Sequence, residues 1–205
     1  MSITGEQIEL INGSLLGDGC LSPRKNRKNT RFSILRKLGD LEYLKWQYNF
    51  VEDLCLTGIK NKENFDKRTN KTYYSCYFCT VANDDLTKIS NKWYNNGKKV
   101  IPNDLILTPL ILGVWFLDDA NIKFTSSEKA IRITFSTQSF SKEDVYFLQN
   151  LLQDKFCEYF GVYKNNNGYV IGCSTNPAKK ILGYIKDFIP YEVLPRKTSY
   201  YDLIK

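Results

Sequence analysis

The chain has 205 residues, enough for one large or two small domains, and 42% of them are hydrophobic, so a packed core is expected. It contains no histidine, which excludes Ser-His-Asp and Cys-His nucleophilic chemistry, imidazole-ligated zinc and any histidine general base; acid–base work falls to carboxylates, lysines and metal-activated water. Lys and Arg outnumber Asp and Glu by 29 to 22, a net charge of +7 that favours an anionic partner such as nucleic acid, and no apolar run has the length of a membrane span or the form of a secretory signal.

Thr4-Gly5-Glu6-Gln7 has the pattern of a capping box and opens a helix carrying Ile8, Ile11, Leu15 and Leu16 at helical spacing. Gly13 and Gly17 lie four apart on it and permit close approach of another helix. The run Gly17-Asp18-Gly19 ends it. A dense basic loop follows, with Arg24, Lys25, Arg27 and Lys28, and residues 30–36 then read as a strand. A helix over 40–55, a charged hairpin or loop over 60–71, a strand-like run over 73–80 and a helix over 83–94 complete the first half. Cys76 and Cys79 form a C-x-x-C in the strand-like run, but residues three apart on a strand face opposite ways. No second pair exists to complete a zinc site. The cysteines read as structural thiols in a reducing compartment. Ile101-Pro102 follows, and a boundary in 102–108 separates a first unit, 1–103, from a second, 104–205.

Thr108 is a good cap, and Pro109 suits the first helical position. Leu110 to Leu117 is apolar all round and stops at Asp118-Asp119. Both apolar helices are therefore expected to pack together at the centre. In the strand that follows, Ile131, Ile133 and Phe135 alternate with Arg132, Thr134, Ser136 and Gln138, giving one core face and one polar face suited to base edges and phosphates. Helices over 141–156 and 176–188 flank another strand pair, and Ile189-Pro190 closes the unit. The chain thus reads as an α/β (α+β) protein of two pseudo-symmetric αββαββα repeats. Asp18 and Asp119 stand 101 residues apart at matching places in the two copies. One acid after a helix is commonly a turn residue, and a carboxylate there opposes the helix dipole. Two of them after matching apolar helices point to a pair that meets at a pseudo-twofold axis and holds a hard divalent cation such as Mg²⁺.

The stretches Leu15-Leu16-Gly17-Asp18-Gly19, Lys98-Lys99-Val100-Ile101-Pro102-Asn103, Leu107-Thr108-Pro109, Trp115-Phe116-Leu117-Asp118-Asp119 and Ser136-Thr137-Gln138-Ser139-Phe140 resemble the two-repeat LAGLIDADG homing endonucleases, most of all their omega-type, intron-encoded members. The likeness spans nearly the whole chain and is more specific in the second half. It implies a DNA-binding saddle of antiparallel sheets around two central helices, and a monomer that needs no protein partner and no membrane. The activity it implies is cleavage of both strands of a long, asymmetric duplex, leaving short 3′ overhangs. Asp18 and Asp119 would bind metal together with the backbone carbonyls of Gly17 and Asp118. Mg²⁺ would be the cofactor, Mn²⁺ would substitute, and Ca²⁺ would bind without supporting cleavage. Gln138 would position water. Lys99 would lie beside the scissile phosphate; its partner falls in residues 189–198, which align only with a small shift, and is Lys197 or, next, Arg196. Arg24, Lys25, Arg27, Lys28, Arg31, Lys123, Lys129, Arg132, Thr134 and Ser136 are the expected DNA contacts. A composition leaning on Asn, Lys, Ile, Tyr and Phe, residues with AT-rich codons, agrees with a mitochondrial gene. Three departures from the family pattern stand out. Ala120 replaces a glycine, at about 1 kcal/mol if its φ were positive; Val114 stands where the first repeat has Gly13; and Asp118 adds a carboxylate. Two other functions fit the same fold: an RNA-binding intron maturase without cleavage, and a DNA binder that uses the scaffold alone.

Overall fold

Thr4 and Gln7 close the expected capping box, Gln7 N donating to Thr4 Oγ1 at 3.3 Å and Thr4 N to Gln7 Oε1 at 3.0 Å. From there α1 (Gly5–Leu16) runs inward and stops at Gly17, whose φ and ψ of −116° and −126° leave the helical region. The computed structural model that shows this describes residues 2–23, 29–125, 130–165 and 167–204. Arg24, Lys25, Arg27, Lys28 and Lys129 lie outside the described residues.

Two chain segments repeat one pattern. After α1 come β1 (Cys20–Pro23), β2 (Thr30–Lys37), α2 (Leu41–Val51), β3 (Lys60–Asp66), β4 (Lys71–Cys79) and α3 (Asp84–Trp93). A two-stranded ribbon, β5 (Tyr94–Asn95) and β6 (Lys98–Lys99), leads to the second copy. That copy holds α4 (Pro109–Asp119), β7 (Ala120–Thr125), β8 (Ala130–Phe135), α5 (Lys142–Phe156), β9 (Gly161–Asn165), β10 (Gly168–Cys173) and α6 (Thr175–Ile185), followed by the short α7 (Pro195–Thr198). The strands form two antiparallel sheets of matching order, β1-β2-β4-β3 and β7-β8-β10-β9. The expected repeat is therefore the observed one. The stretch expected as a charged hairpin or loop is a full hairpin, β3 paired with β4 from Lys60–Tyr77 to Asp66–Lys71. Its outer strand is solvated on both faces, which is why no alternation marks it in the sequence.

At N1 of α4 sits Pro109, and the Thr108 Oγ1 accepts from Ile111 N at 3.2 Å while donating to Glu9 Oε2 of α1 at 2.9 Å. The same threonine thus starts one central helix and ties it to the other. Gly13 makes their contact close: a Cβ there would lie 2.8 Å from the Ile111 carbonyl oxygen and from the Val114 Cβ. Val114 in place of a second glycine is accommodated because the space comes from Gly13 alone. Leu110 through Leu117 are all buried, and one continuous apolar cluster spans both halves around these two helices. Each fully buried Leu, Ile or Phe contributes on the order of 1.5–3 kcal/mol, so the central pair carries much of the core. On each sheet the other face is open: Phe32, Ile34 and Phe78, and Ile131, Ile133 and Phe135, point inward, leaving Arg31, Ser33, Arg132 and Thr134 outward. All six cysteines are free thiols, with Cys76 in the core and Cys79 on the alternate face. Among the described residues no helix is long and apolar enough to cross a membrane.

Candidate active site

Both central helices end at the same place, and each delivers its acids there. The key to their arrangement is Gly17. A Cβ on it would fall 2.4 Å from the Asp118 Cβ and 2.6 Å from the Asp118 Oδ2, so the missing side chain of one half is the room that the carboxylate of the other half occupies. Asp118 Oδ2 accepts from Asp18 N at 3.1 Å, and Asp118 Oδ1 from Arg36 Nη2 at 2.5 Å and Tyr43 Oη at 2.7 Å. Arg36 also donates through Nη1 to Asp18 Oδ2 at 3.2 Å and through Nε to Gln47 Oε1 at 2.7 Å. Gln47 Nε2 passes the chain on to Ser14 Oγ at 3.4 Å, and the guanidinium lies 4.0 Å from the Tyr43 ring centroid.

Burial decides what this network is. The Asp118 side chain is 0% exposed and that of Arg36 5%, whereas Asp18 is 53% exposed. Burial works against the charged guanidinium, but Asp118, Tyr43 and Asp18 outweigh it and hold Arg36 above the usual arginine pKa. Burial pushes the Asp118 carboxyl up, Arg36 pulls it back and Asp18 pushes again. With a guanidinium, a phenol and a backbone N–H all donating to it, Asp118 is the acceptor of a charged, buried pair. Asp118 is thus a structural carboxylate, and its backbone carbonyl accepts from Lys197.

Asp119 is placed differently. It is partly buried beside a cleft of 390 Å³ that Asn121, Ser136 and Lys197 also line. Burial first, then the charges of Asp118 and Asp18, raise its carboxyl to about 7, against the pull of Lys197 and Lys99. Ala120, next to it, has φ −76°, so the replacement of glycine carries no backbone strain.

Two lysines close the ends of the central helices. Lys99 on β6 donates through Nζ to the carbonyls of Leu15 and Gly17, both at 2.9 Å. Lys197 on α7 donates to those of Phe116 at 3.2 Å, Leu117 at 2.6 Å and Asp118 at 3.2 Å. Each ammonium lies against the last carbonyls of a central helix, of which Phe116 O also accepts from Ala120 N, and offsets the negative end of its dipole. Burial lowers the pKa of both, that of Lys197 to about 8, although the nearby acids raise it. Arg196, the other candidate from the shifted alignment, turns away to Asp40 at 2.8 and 3.1 Å.

The polar faces separate the remaining candidates. Lys123 on β7 pairs across with Arg132 on β8, and Asn121 with Thr134, all on the open face of the second sheet. Arg31 lies on the corresponding face of the first. Gln138 sits in the turn beyond β8, its backbone against Gly168, and Ser136 of the same segment lines the cleft. The strand ends at Phe135, so the polar alternation expected through residue 138 runs out three residues early. Arg36, Tyr43 and Gln47 escaped the sequence reading. One signal was present: Arg36 continues the inward series Phe32, Ile34, and a cation on a core face demands a buried anion.

The donor set is all oxygen: two carboxylates and the carbonyls of Gly17 and Asp118. Among the described residues no three His, Cys, Asp or Glu side chains gather as a metal site, so the protein alone supplies an incomplete shell. Hard divalent cations accept such shells, completing them with water and phosphate oxygens. That both helix-end carbonyl clusters already hold an ammonium shows that this oxygen surface draws cations, and the residues present fit one.

Residues 8–181 match the model of the LAGLIDADG DNA endonuclease family. The chain is 29% identical over 92% of its length to the cytochrome b mRNA maturase bI2 of Debaryomyces hansenii, covering 73% of that protein. It is 31% identical to the DNA endonuclease I-ChuI of Chlamydomonas applanata over 75% of this chain and 74% of the relative. Among solved structures, that of the homing endonuclease I-WcaI bound to its DNA recognition sequence superposes with a TM-score of 0.86 at 21% identity, covering 97% of this chain and 88% of that one.

Proposed function

The chain belongs to the LAGLIDADG DNA endonuclease family, and we propose that it is a site-specific, intron-encoded homing endonuclease of the omega type that cuts both strands of a long asymmetric duplex, leaving short 3′ overhangs. What supports this reading is the ending of both central helices at one seam, where the charge of Asp18 acts on Asp119 and a lysine lies against the end of each helix. Asp18, Asp119 and the carbonyls of Gly17 and Asp118 would hold divalent metal, Mg²⁺ by preference, with Mn²⁺ active and Ca²⁺ inert. The metal supplies a water nucleophile near neutral pH and charge stabilisation for the leaving 3′ oxygen. Lys99 and Lys197, at the ends of the two central helices, would supply the basic groups beside the scissile phosphates. Gln138, in the turn beyond β8, and Ser136, in the cleft beside Asp119, would position water. The open sheet faces, with Arg31, Lys123, Arg132 and Thr134, would lie in the DNA grooves. Like charges at paired positions, Lys123 opposite Arg132, are unfavourable until an anion lies between them.

The test is selection of cleaved sequences from a randomised duplex pool, followed by Asp18→Asn and Asp119→Asn. Each variant should lose double-strand cleavage in Mg²⁺ and still bind the selected duplex in Ca²⁺. Normal cutting by either refutes the assignment. The second reading, an intron maturase, rests on the relative from Debaryomyces hansenii that bears that name. It predicts that the purified protein promotes splicing of its host intron RNA and that Asp18→Asn leaves this intact. A mitochondrial gene and a monomer acting without protein partners belong to the first reading.

A further inference from the structure

A cavity of 380 Å³ opens on the outward face of the first sheet, beyond the end of β4 and beside residues 56–58. Strand register puts its polar side chains on one face: Cys79 opposite Ser33, Tyr77 opposite Lys60, and Arg31 two residues along β2 from Ser33. Arg31 and Lys60 both line it, and among the described residues no acidic one does. The Arg31 Nε is buried and has no hydrogen-bond partner among the described residues. A buried guanidinium N–H without an acceptor is a donor waiting for one.

In the second sheet the same ground is filled. Gly172 pairs with Thr134 as Cys79 pairs with Ser33, and Tyr163 pairs with Val170 as Lys60 pairs with Tyr77. There the Tyr163 side chain lies across two glycines: a Cβ on Gly161 would fall 2.4 Å from its Oη, and one on Gly172 3.1 Å from its ring. One half has closed the depression with an aromatic ring. The other keeps it open and lines it with two cations.

We propose that this cavity is the seat of one DNA backbone phosphate, held jointly by Arg31 and Lys60, an anchor that the first half has and the second lacks. The inference rests on the reading of the open faces as DNA-binding. A phosphate is the group that answers two cations lining one cavity whose described lining carries no carboxylate, and Arg presents its donors in a fork that matches phosphate oxygens. Such a contact fixes position on the duplex without reading its sequence.

The experiment measures affinity in Ca²⁺ for 30-base-pair duplexes of unrelated sequence over a series of salt concentrations. It compares the wild type, Arg31→Ala, Lys60→Ala, the double variant and Lys179→Ala, a control that removes one exposed charge from α6. Each phosphate released should lower the slope of log K against log salt by about 0.9. Both single variants should weaken binding to every duplex alike, and the double variant should lose a slope of about 0.9, the value for one shared phosphate, rather than about 1.8 for two. Lys179→Ala should leave the slope unchanged. The exposed Lys60 gives a variant whose folding is not at risk. An unchanged slope in the double variant, a loss of about twice the expected size, an equal loss in Lys179→Ala, or a loss confined to one base-pair position overturns the anchor while the nuclease reading stands. A wild type that fails to bind any duplex removes both.

Discussion

The two halves share a fold and an acid, but they have opposite interiors at the seam. Where the first half has Ser14, Arg36 and Gln47, joined in a buried hydrogen-bonded chain, the second has Trp115, Thr137 and Leu148 at the corresponding places. Trp115 stacks on Phe135 with ring centroids 4.2 Å apart, and Thr137 gives its hydroxyl to the Tyr169 carbonyl at 2.8 Å. The reason lies in one exchange. Gly17 of the first half corresponds to Asp118 of the second, and because that carboxylate crosses the seam, the half that receives it must supply the cation and the polar relay. The half that sends it can stay apolar. Asp18 is consequently clamped by a guanidinium, while no corresponding arginine holds Asp119. Duplicated folds can therefore keep a symmetric pair of acids on an asymmetric support.

Removing the cation should break the comparison most. Arg36→Met leaves Asp118 buried without its partner, and a loss of about 3–5 kcal/mol is expected in urea unfolding. The paired change Arg36→Met with Asp118→Leu should recover most of it, because two apolar groups of similar volume need no partner. Failure of the pair to recover would mean that the network does more than neutralise Asp118.

Next comes the other acid. The Asp119 carboxyl stands at about 7 in the folded protein, raised from 3.8. Between those values the folded state binds more protons than the unfolded one, so this group's contribution to stability falls as pH rises from about 4 to 7. In the absence of divalent metal, Asp119→Asn should then be more stable than wild type above pH 7, by on the order of 2 kcal/mol, and lose that advantage near pH 4. Thermal denaturation in chelator at the two pH values checks it, and equal gains at both would dismiss the charge origin.

A smaller effect belongs to Thr137→Val. It deletes one hydrogen bond and strands the Tyr169 carbonyl, for about 1 kcal/mol, far below the cost at Arg36 although the two residues occupy equivalent positions. Smallest is Asp18→Asn. Its pair with Arg36 is half solvated, so the stability lost should be under about 1 kcal/mol and should shrink in salt. Opposite signs for Asp18→Asn and Asp119→Asn in metal-free protein would state the asymmetry in a single experiment.

Much of this architecture could be read without coordinates. Thr4 and Gln7, Thr108 and Pro109 announce both central helices because capping is local chemistry, settled within four residues. The alternation of Ile131, Ile133 and Phe135 announces β8 because a sheet with one buried face imposes a period of two. What stayed hidden has physical causes as well. The β3 strand is solvated on both faces and shows no period. Ser136, rather than Gln138, lines the cleft because a strand's last paired residue depends on its neighbours. Lys197 was separated from Arg196 only by the turn of α7, which aims one at the end of α4 and the other at Asp40.

By itself, then, the chain determined its duplication, its two helix-borne acids and its polar sheet faces, since these follow from short-range periodicity and from a motif repeated 101 residues on. Only the tertiary structure decided that Asp118 is buried in the opposite half, that Arg36 answers it, and that one sheet keeps a cationic cavity where the other carries a tyrosine. Those are contacts between residues far apart in sequence, and their energies depend on desolvation, which no local pattern encodes.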